Sequence, residues 1–300
     1  MSKIERDDVT GTHTTGHEWD GIKELNTPLP RWWILTFYAC IAFAVVYSIL
    51  YPAWPMLKGA SPGLLGYSSR VELGKSLDAA SSAQKETVDK IAAAKVGDIL
   101  KDDKLKTFAI AAGSAAFKVN CVQCHGSGAA GAVGYPNLND NDWLWGGTIE
   151  QIHTTITDGI RYSADAKTRD AEMPNFGADG ILKPEQIADA ANFAVTLSGG
   201  TADDPAAALR GKQVFADNCA ACHGDVGQGN KDMGAPNLAD QIWLYVKAGG
   251  KVTVKDIAAQ VTKPRHGVMP AWTGKLDDAK IKELAVYVYT LGGGEPAGAQ

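Results

Sequence analysis

AFKVNCVQCHG (116–126) and VFADNCAACHG (214–224) are the two stretches whose reading decides the fold. Each carries Cys-x-x-Cys followed at once by His, at Cys121, Cys124 and His125 and again at Cys219, Cys222 and His223. The sequence after them repeats as well. YPNL (135–138) matches APNL (235–238), NDWLW (141–145) matches QIWLY (241–245), and MPNF (173–176) matches MPAW (269–272). LKPEQIADAANFAVTLSGG (182–200) then matches LDDAKIKELAVYVYTLGGG (276–294). Blocks recurring in one order at a nearly constant offset mean two copies of one domain.

Each copy opens with a helix that reaches its cysteine pair and closes with an amphipathic helix ended by glycine. Gly113 and Phe117, four apart, recur as Gly211 and Phe215. Residues so spaced share a helix face, and the glycine lets a second helix approach closely. Phe193 and Tyr287, at equivalent places in the closing helices, are the natural partners of these faces.

The chemistry follows from spacing. Within one helical turn two thiols can reach the two vinyl groups of a haem, while the next residue presents an imidazole to the iron. A thioredoxin-like pair would need a βαβ setting, which is absent, and a zinc site would need four suitable ligands from one domain. The expectation is two covalently attached haem c groups, with His125 and His223 as axial ligands. The Nδ1–H of each has a candidate acceptor in the carbonyl of Pro136 or Pro236, which would fix tautomer and ring direction. Met173 and Met269, each followed by proline about fifty residues after an attachment site, are the candidate sixth ligands. Thioether sulfur favours ferrous iron and raises the potential, as suits an electron carrier. Met233, His153 and His266 are competitors, but none has a counterpart in the other copy. Trp143 and Trp243 either wall the haems or fill the core. With both axial positions taken, substrate has nowhere to bind, so one-electron transfer is expected rather than catalysis at these irons. No GxSxG, P-loop, GxGxxG or HExxH motif is present.

WWILTFYACIAFAVVYSILY (32–51) is twenty residues without charge or proline. As a helix it would span ~30 Å, the thickness of a hydrocarbon core. Trp32, Trp33, Tyr51 and Trp54 stand where interfacial aromatics belong. The run begins later and is longer than a signal-peptide core and is followed by bulky YPAWP, so an uncleaved anchor in membrane lipid is expected. Cys40 lies alone within it. Covalent haem attachment takes place outside the bacterial cytoplasm, which puts the C-terminal bulk in the periplasm and the polar N-terminal residues, with His13 and His17, in a loose cytoplasmic tail. The Lys75–Lys106 stretch reads as helical, with Ile91, Val96, Ile99 and Leu100 inward, lying along either a partner or the first haem domain. A net charge of −5 excludes no protein partner but gives no basic patch for nucleic acid.

The expected fold is mainly α: one N-terminal transmembrane helix followed by two tandem class I cytochrome c domains. The boundaries are a cytoplasmic tail at 1–31, the span at 32–51, a partly helical periplasmic linker at 52–106, cytochrome domains at 107–200 and 205–294, and a flexible tail at 295–300.

The segment NTPLPRWWILTFYACIAFAVVYSILYPAWP (26–55), the CVQCHG and CAACHG sites and GQGNKDMGAPNL (227–238) together resemble the diheme CcoP (FixP) subunit family of bacterial cbb3-type cytochrome c oxidases. The resemblance covers nearly the whole chain, and the short N-terminus fits the one-span form of that family. It implies an inner-membrane electron-transfer subunit, not an enzyme by itself. A soluble or membrane cytochrome c, or a quinol oxidoreductase, would supply its electrons. They would leave through a monohaem cytochrome c subunit toward a catalytic haem-copper subunit. It also implies that Met173 and Met269 can be exchanged, each serving the other copy's haem. The alternatives are an independent membrane-tethered diheme shuttle or dehydrogenase cytochrome subunit, and a diheme peroxidase or gas sensor, which would need an open iron.

Overall fold

The computed structural model describes residues 4–246 and 250–296. The chain forms two compact units, residues 1–83 and 84–300.

In the first unit, β1 (Thr14–Trp19) and β2 (Ile22–Leu25) form an antiparallel hairpin in which Trp19 pairs with Ile22. The residues between them, Asp20 and Gly21, have φ of 52° and 84°. Positive φ at both centres of a two-residue turn matches the right-handed twist of the flanking strands. Thr14 is buried, its N–H donating to the Glu5 carbonyl and its Oγ1 accepting from the Glu5 N–H. The loose tail expected here is therefore corrected to a hairpin, and the Asp-Gly pair was its signal. Helix α1 (Arg31–Leu50) follows, with none of its residues buried. A helix apolar on every side and bare to its surroundings has the length and hydropathy to cross a membrane. Leu64 and Leu65 donate to the carbonyls of Ile49 and Leu50 and so satisfy its last turn. The two-residue strands β3 (Pro55–Met56) and β4 (Gly59–Ala60) make a second, minimal hairpin.

Helix α2 (Ser69–Ala93) leads into the second unit, followed by the single turn α3 (Val96–Ile99). Helix begins six residues earlier than Lys75 and is broken after Ala93. Ile91, Val96 and Ile99 are buried and Leu100 partly so, all in one core with Phe117, Ile152 and Leu284. The end of the linker therefore belongs to the first haem domain.

Two groups of helices follow the repeat. The first copy supplies α4 (Asp103–Asn120), α5 (Val122–His125), α6 (Ile149–Asp158) and α7 (Pro184–Leu197). The second supplies α8 (Pro205–Asn218), α9 (Ala220–His223), α10 (Val254–Thr262) and α11 (Asp278–Tyr289). Asp102 and Asp204 cap α4 and α8, accepting from the first free N–H groups. Thr148 with Gln151 and Thr253 with Asp256 form capping boxes on α6 and α10. Ile149, Ile152 and Ile156 on α6, like Val254, Ile257 and Val261 on α10, recur at helical spacing and are buried.

The closing helices are exchanged. Helix α11 packs on α4 and α6, whereas α7 packs on α8 and α10. A Cβ on Gly113 would lie 2.1 Å from the Glu283 carbonyl and 2.8 Å from Tyr287 Cβ. One on Gly211 would lie 1.9 Å from the Asp189 carbonyl and 3.0 Å from Phe193 Cβ. The rings complete each crossing, Phe117 with Tyr287 at 5.4 Å and Phe193 with Phe215 at 5.3 Å. The residues that meet are thus those read from the repeat, but each pair joins different copies. Chain connectivity gives the reason. Only residues 198–204 separate α7 from α8, and so short a connection makes its two helices neighbours. The Asn192 side chain accepts from the Asp204 N–H at 3.0 Å and pins that turn. With α7 already against α8, the apolar face of α4 is covered by α11.

Candidate haem sites

In both copies the cysteine pair and histidine occupy one turn at the end of the opening helix. Cys121 ends α4, and α5 carries Cys124 and His125; Cys219 ends α8, and α9 carries Cys222 and His223. The next residue, Gly126 or Gly224, has φ of 78° in each case, a left-handed conformation that stops the turn. The chain then folds back. Gly131 N–H donates to the His125 carbonyl at 2.9 Å and Gly229 N–H to the His223 carbonyl at 2.8 Å. A Cβ on Gly131 would strike the Tyr135 carbonyl at 2.4 Å, and one on Gly229 the Asn237 nitrogen at 2.7 Å.

This fold-back brings proline carbonyls to the imidazoles. His125 Nδ1 lies 3.1 Å from the Pro136 oxygen, and His223 Nδ1 lies 3.0 Å from the Pro236 oxygen. A carbonyl only accepts, so Nδ1 carries the proton and Nε2 keeps its lone pair for a metal. Burial lowers the pKa of both histidines, against the opposing effect of the proline carbonyl. The neutral, ligating form is thereby favoured. All four thiols are free. Burial, and then the neighbouring thiol, pushes Cys121 and Cys219 up to about 11. The donor set and its geometry fit a covalently held haem in each copy.

The methionines follow the exchange. Met269 packs against the core of Phe117, Ile152 and Leu284, as Cys121 does, and Met173 against the core of Phe176, Ile187, Ile257 and Val261, as Val214 and Trp243 do. Met269 exchanges two backbone hydrogen bonds with Ile160, at 2.9 and 3.0 Å, and Trp272 N–H donates to the Ile156 carbonyl. A Cβ on Gly159 would lie 2.4 Å from the Met269 carbonyl, so this strap lies flat against the end of α6. In the other core, Gly177 and Ala178 donate to the Thr262 carbonyl at the end of α10. Each Met-Pro segment thus docks on the opposite copy's middle helix.

The competing ligands sit elsewhere. Met233 is 45% exposed and His266 is exposed, while His153 is half-buried on α6 with no hydrogen-bond partner for Nε2 among the described residues. His13 and His17 are exposed, and no cluster of three or more His, Cys, Asp or Glu that could hold a metal ion exists among the described residues. Trp143 donates to the Gly293 carbonyl at 2.6 Å, whereas Trp145 and Trp243 keep buried Nε1–H groups without an acceptor among the described residues. The pairing of Arg169 with Trp145, its guanidinium 5.2 Å from the ring centre and its Nη1 donating to the Trp145 carbonyl, had no sequence signal. Glu295 is also docked, its N–H donating to the Gly147 carbonyl and its carboxylate paired with Lys231. The remaining part of the expected flexible tail, 297–300, lies outside the described residues.

A membrane-length helix ahead of two Cys-x-x-Cys-His sites in mainly helical domains defines a membrane-anchored c-type cytochrome. Three family profiles agree with that class: "N-terminal domain of cytochrome oxidase-cbb3, FixP" over 11–58, "Cytochrome c" over 110–198, and "Cytochrome C oxidase, cbb3-type, subunit III" over 206–288. A cbb3-type cytochrome c oxidase subunit FixP from Sinorhizobium medicae is 53% identical over 96% of this chain and 97% of its own length. The CcoP subunits of Cereibacter sphaeroides and Azospirillum brasilense are 51% and 48% identical, over 94% and 98% of this chain and 95% and 100% of theirs. The chain belongs to the FixP/CcoP family of cbb3-type cytochrome c oxidase subunits.

Proposed function

We propose that this subunit is the electron-entry arm of its oxidase and holds two haem c groups. Cys121 and Cys124 would attach one, with His125 as its ligand, and Cys219 and Cys222 would attach the other, with His223 as its ligand. The exchanged packing supports Met269 as sixth ligand beside His125 and Met173 beside His223. When bound, haem iron supplies a reversible one-electron couple. The protein's part would be to present the histidine and methionine donors, to hold each imidazole neutral through its proline carbonyl, and to surround the group with apolar side chains. Electrons enter from a donor cytochrome c and leave toward a monohaem cytochrome subunit and the haem-copper subunit. Helix α1 anchors the chain in the inner membrane, with the N-terminal hairpin cytoplasmic and the haem domains periplasmic.

The observation that carries this reading is the doubled His–proline carbonyl contact beside a free thiol pair. Mild solubilisation, capture of this chain and intact mass measurement test it. Two haem masses and a co-purifying haem-copper subunit are expected. A chain without haem refutes the assignment, and a diheme chain that leaves the membrane alone favours a free shuttle.

A further inference from the structure

Where the two copies meet, each inserts a ring against the loop that supports the other copy's histidine. Trp145 and Tyr245 are equivalent in the repeat, as are Gly134 and Gly234. A Cβ on Gly234 would lie 2.3 Å from Trp145 Cζ2, and one on Gly134 would lie 3.5 Å from Tyr245 Cε1. Both glycines have positive φ, 86° and 62°. Gly134 N–H also donates to the Leu244 carbonyl at 2.7 Å, tying the loops together directly. Each glycine stands two residues before the proline whose carbonyl holds the imidazole: Gly134 before Pro136 and His125, Gly234 before Pro236 and His223.

Both rings are themselves held by cations. The Arg265 guanidinium lies 4.2 Å from the Tyr245 ring centre, and Arg169 covers Trp145 while bonding its carbonyl. Such contacts fix a ring's plane at little cost when the cation is partly desolvated. Neither ring is among the residues of the two buried cores, which are formed around the helix crossings already described. Their common feature is the opposite copy's histidine loop.

We infer that Trp145 and Tyr245 form a reciprocal clasp that sets the separation of the two histidine-bearing loops, and through it the rate of electron passage between the haems. They are positioning residues. One electron leaves the iron of one site and enters that of the other, so one centre is oxidised by one as its partner is reduced by one. No bond forms or breaks, and no proton moves at Trp145 or Tyr245. The inference rests on the two-haem reading above.

The test uses the full-length, haem-loaded chain, with two haems per chain verified by mass before any rate is compared, so that failure of the two-haem reading is seen separately. One electron is injected by a flash-activated reductant, and equilibration between the haems is followed optically, with redox titration of each variant alongside. Trp145→Leu and Tyr245→Leu are expected to slow equilibration about tenfold or more, since small displacements of reacting groups carry rate costs of that order. The potentials should stay in place. Where a leucine variant fails to mature, the milder pair decides. Trp145→Phe keeps an aromatic ring but loses the Cζ2 edge that reaches Gly234, and should be slow. Tyr245→Phe retains the Cε1 edge and should match the parent. Parental rates in Trp145→Phe, or a Tyr245→Phe variant as slow as Tyr245→Leu, would overturn the clasp.

Discussion

At the scale of single residues, the two methionines are the sharpest point of decision. Met173 and Met269 are indistinguishable in the repeat, and their short-range context, Met-Pro in both, gives no hint of which copy each docks on. Backbone bonding supplies the difference: Met269 is stitched to Ile160 beside α6, while the segment after Met173 bonds to Thr262 at the end of α10. To isolate one site, Cys219→Ala and Cys222→Ala remove the second attachment point. In that background Met269→Leu should lower the remaining haem's potential by on the order of 0.1 V or more, because axial ligands set potential over a range of about 0.8 V. It should also open the ferrous iron to carbon monoxide. Met173→Leu in the same background should change neither. The opposite pattern in the titration would mean that each copy ligates its own haem.

At the scale of elements, the two helix crossings are alike in shape and unlike in charge. Asp189 on α7 accepts from Arg210 on α8 through both oxygens, at 2.7 and 2.9 Å. Its repeat equivalent on α11 is Glu283, and the equivalent of Arg210 on α4 is Ala112. Glu283 is 4% exposed and has no ion pair within 4.0 Å among the described residues. Burial, and then the charge of Asp277, raises its pKa to about 7, with Lys280 opposing. A carboxyl whose folded pKa lies above its unfolded value stabilises the fold fully below the unfolded value and loses that contribution as pH rises through the folded one. The α4–α11 crossing should therefore weaken between about pH 4.5 and pH 7. Glu283→Gln should stabilise the protein by about 1–3 kcal/mol at pH 8, an advantage that vanishes near the unfolded pKa. Denaturant unfolding of parent and variant at both pH values measures this, and an advantage independent of pH would rule out the buried carboxylate as its source. The elements themselves were legible: the turn bearing each haem motif, the amphipathic faces, and the glycine–aromatic crossing all carry local patterns. The N-terminal hairpin was legible too, in Asp20-Gly21, but the polar composition around it masked a signal only two residues long.

At the scale of the whole molecule, duplication explains both what the sequence revealed and what it hid. Because the closing helices share one pattern, either satisfies either opening helix, and no periodicity distinguishes α7 from α11 as the cover for α4. The deciding quantity is the length of the 198–204 connection, which acts through chain geometry and leaves no mark on the faces it brings together. The exchange makes each helix crossing a product of both copies, so neither copy closes its own core even though each matches a cytochrome profile by itself. A chain ended at Gly200 keeps α4, α5 and α6 but loses α11 and Met269, while α7 loses α8. The apolar face of α4, with Phe117 1% exposed in the intact protein, would open to water at a cost of about 2–3 kcal/mol for that ring alone. The truncated chain should therefore carry its haem with one axial position open, bind carbon monoxide readily when reduced, and lack the near-infrared sulfur-to-iron band when oxidised. Supplying residues 201–300 as a separate haem-loaded chain should restore the band, since the missing helix and the proposed ligand both lie there. A truncated chain that shows the band unaided would mean that Met173 reaches the first haem, and the exchange of segments would not extend to the iron.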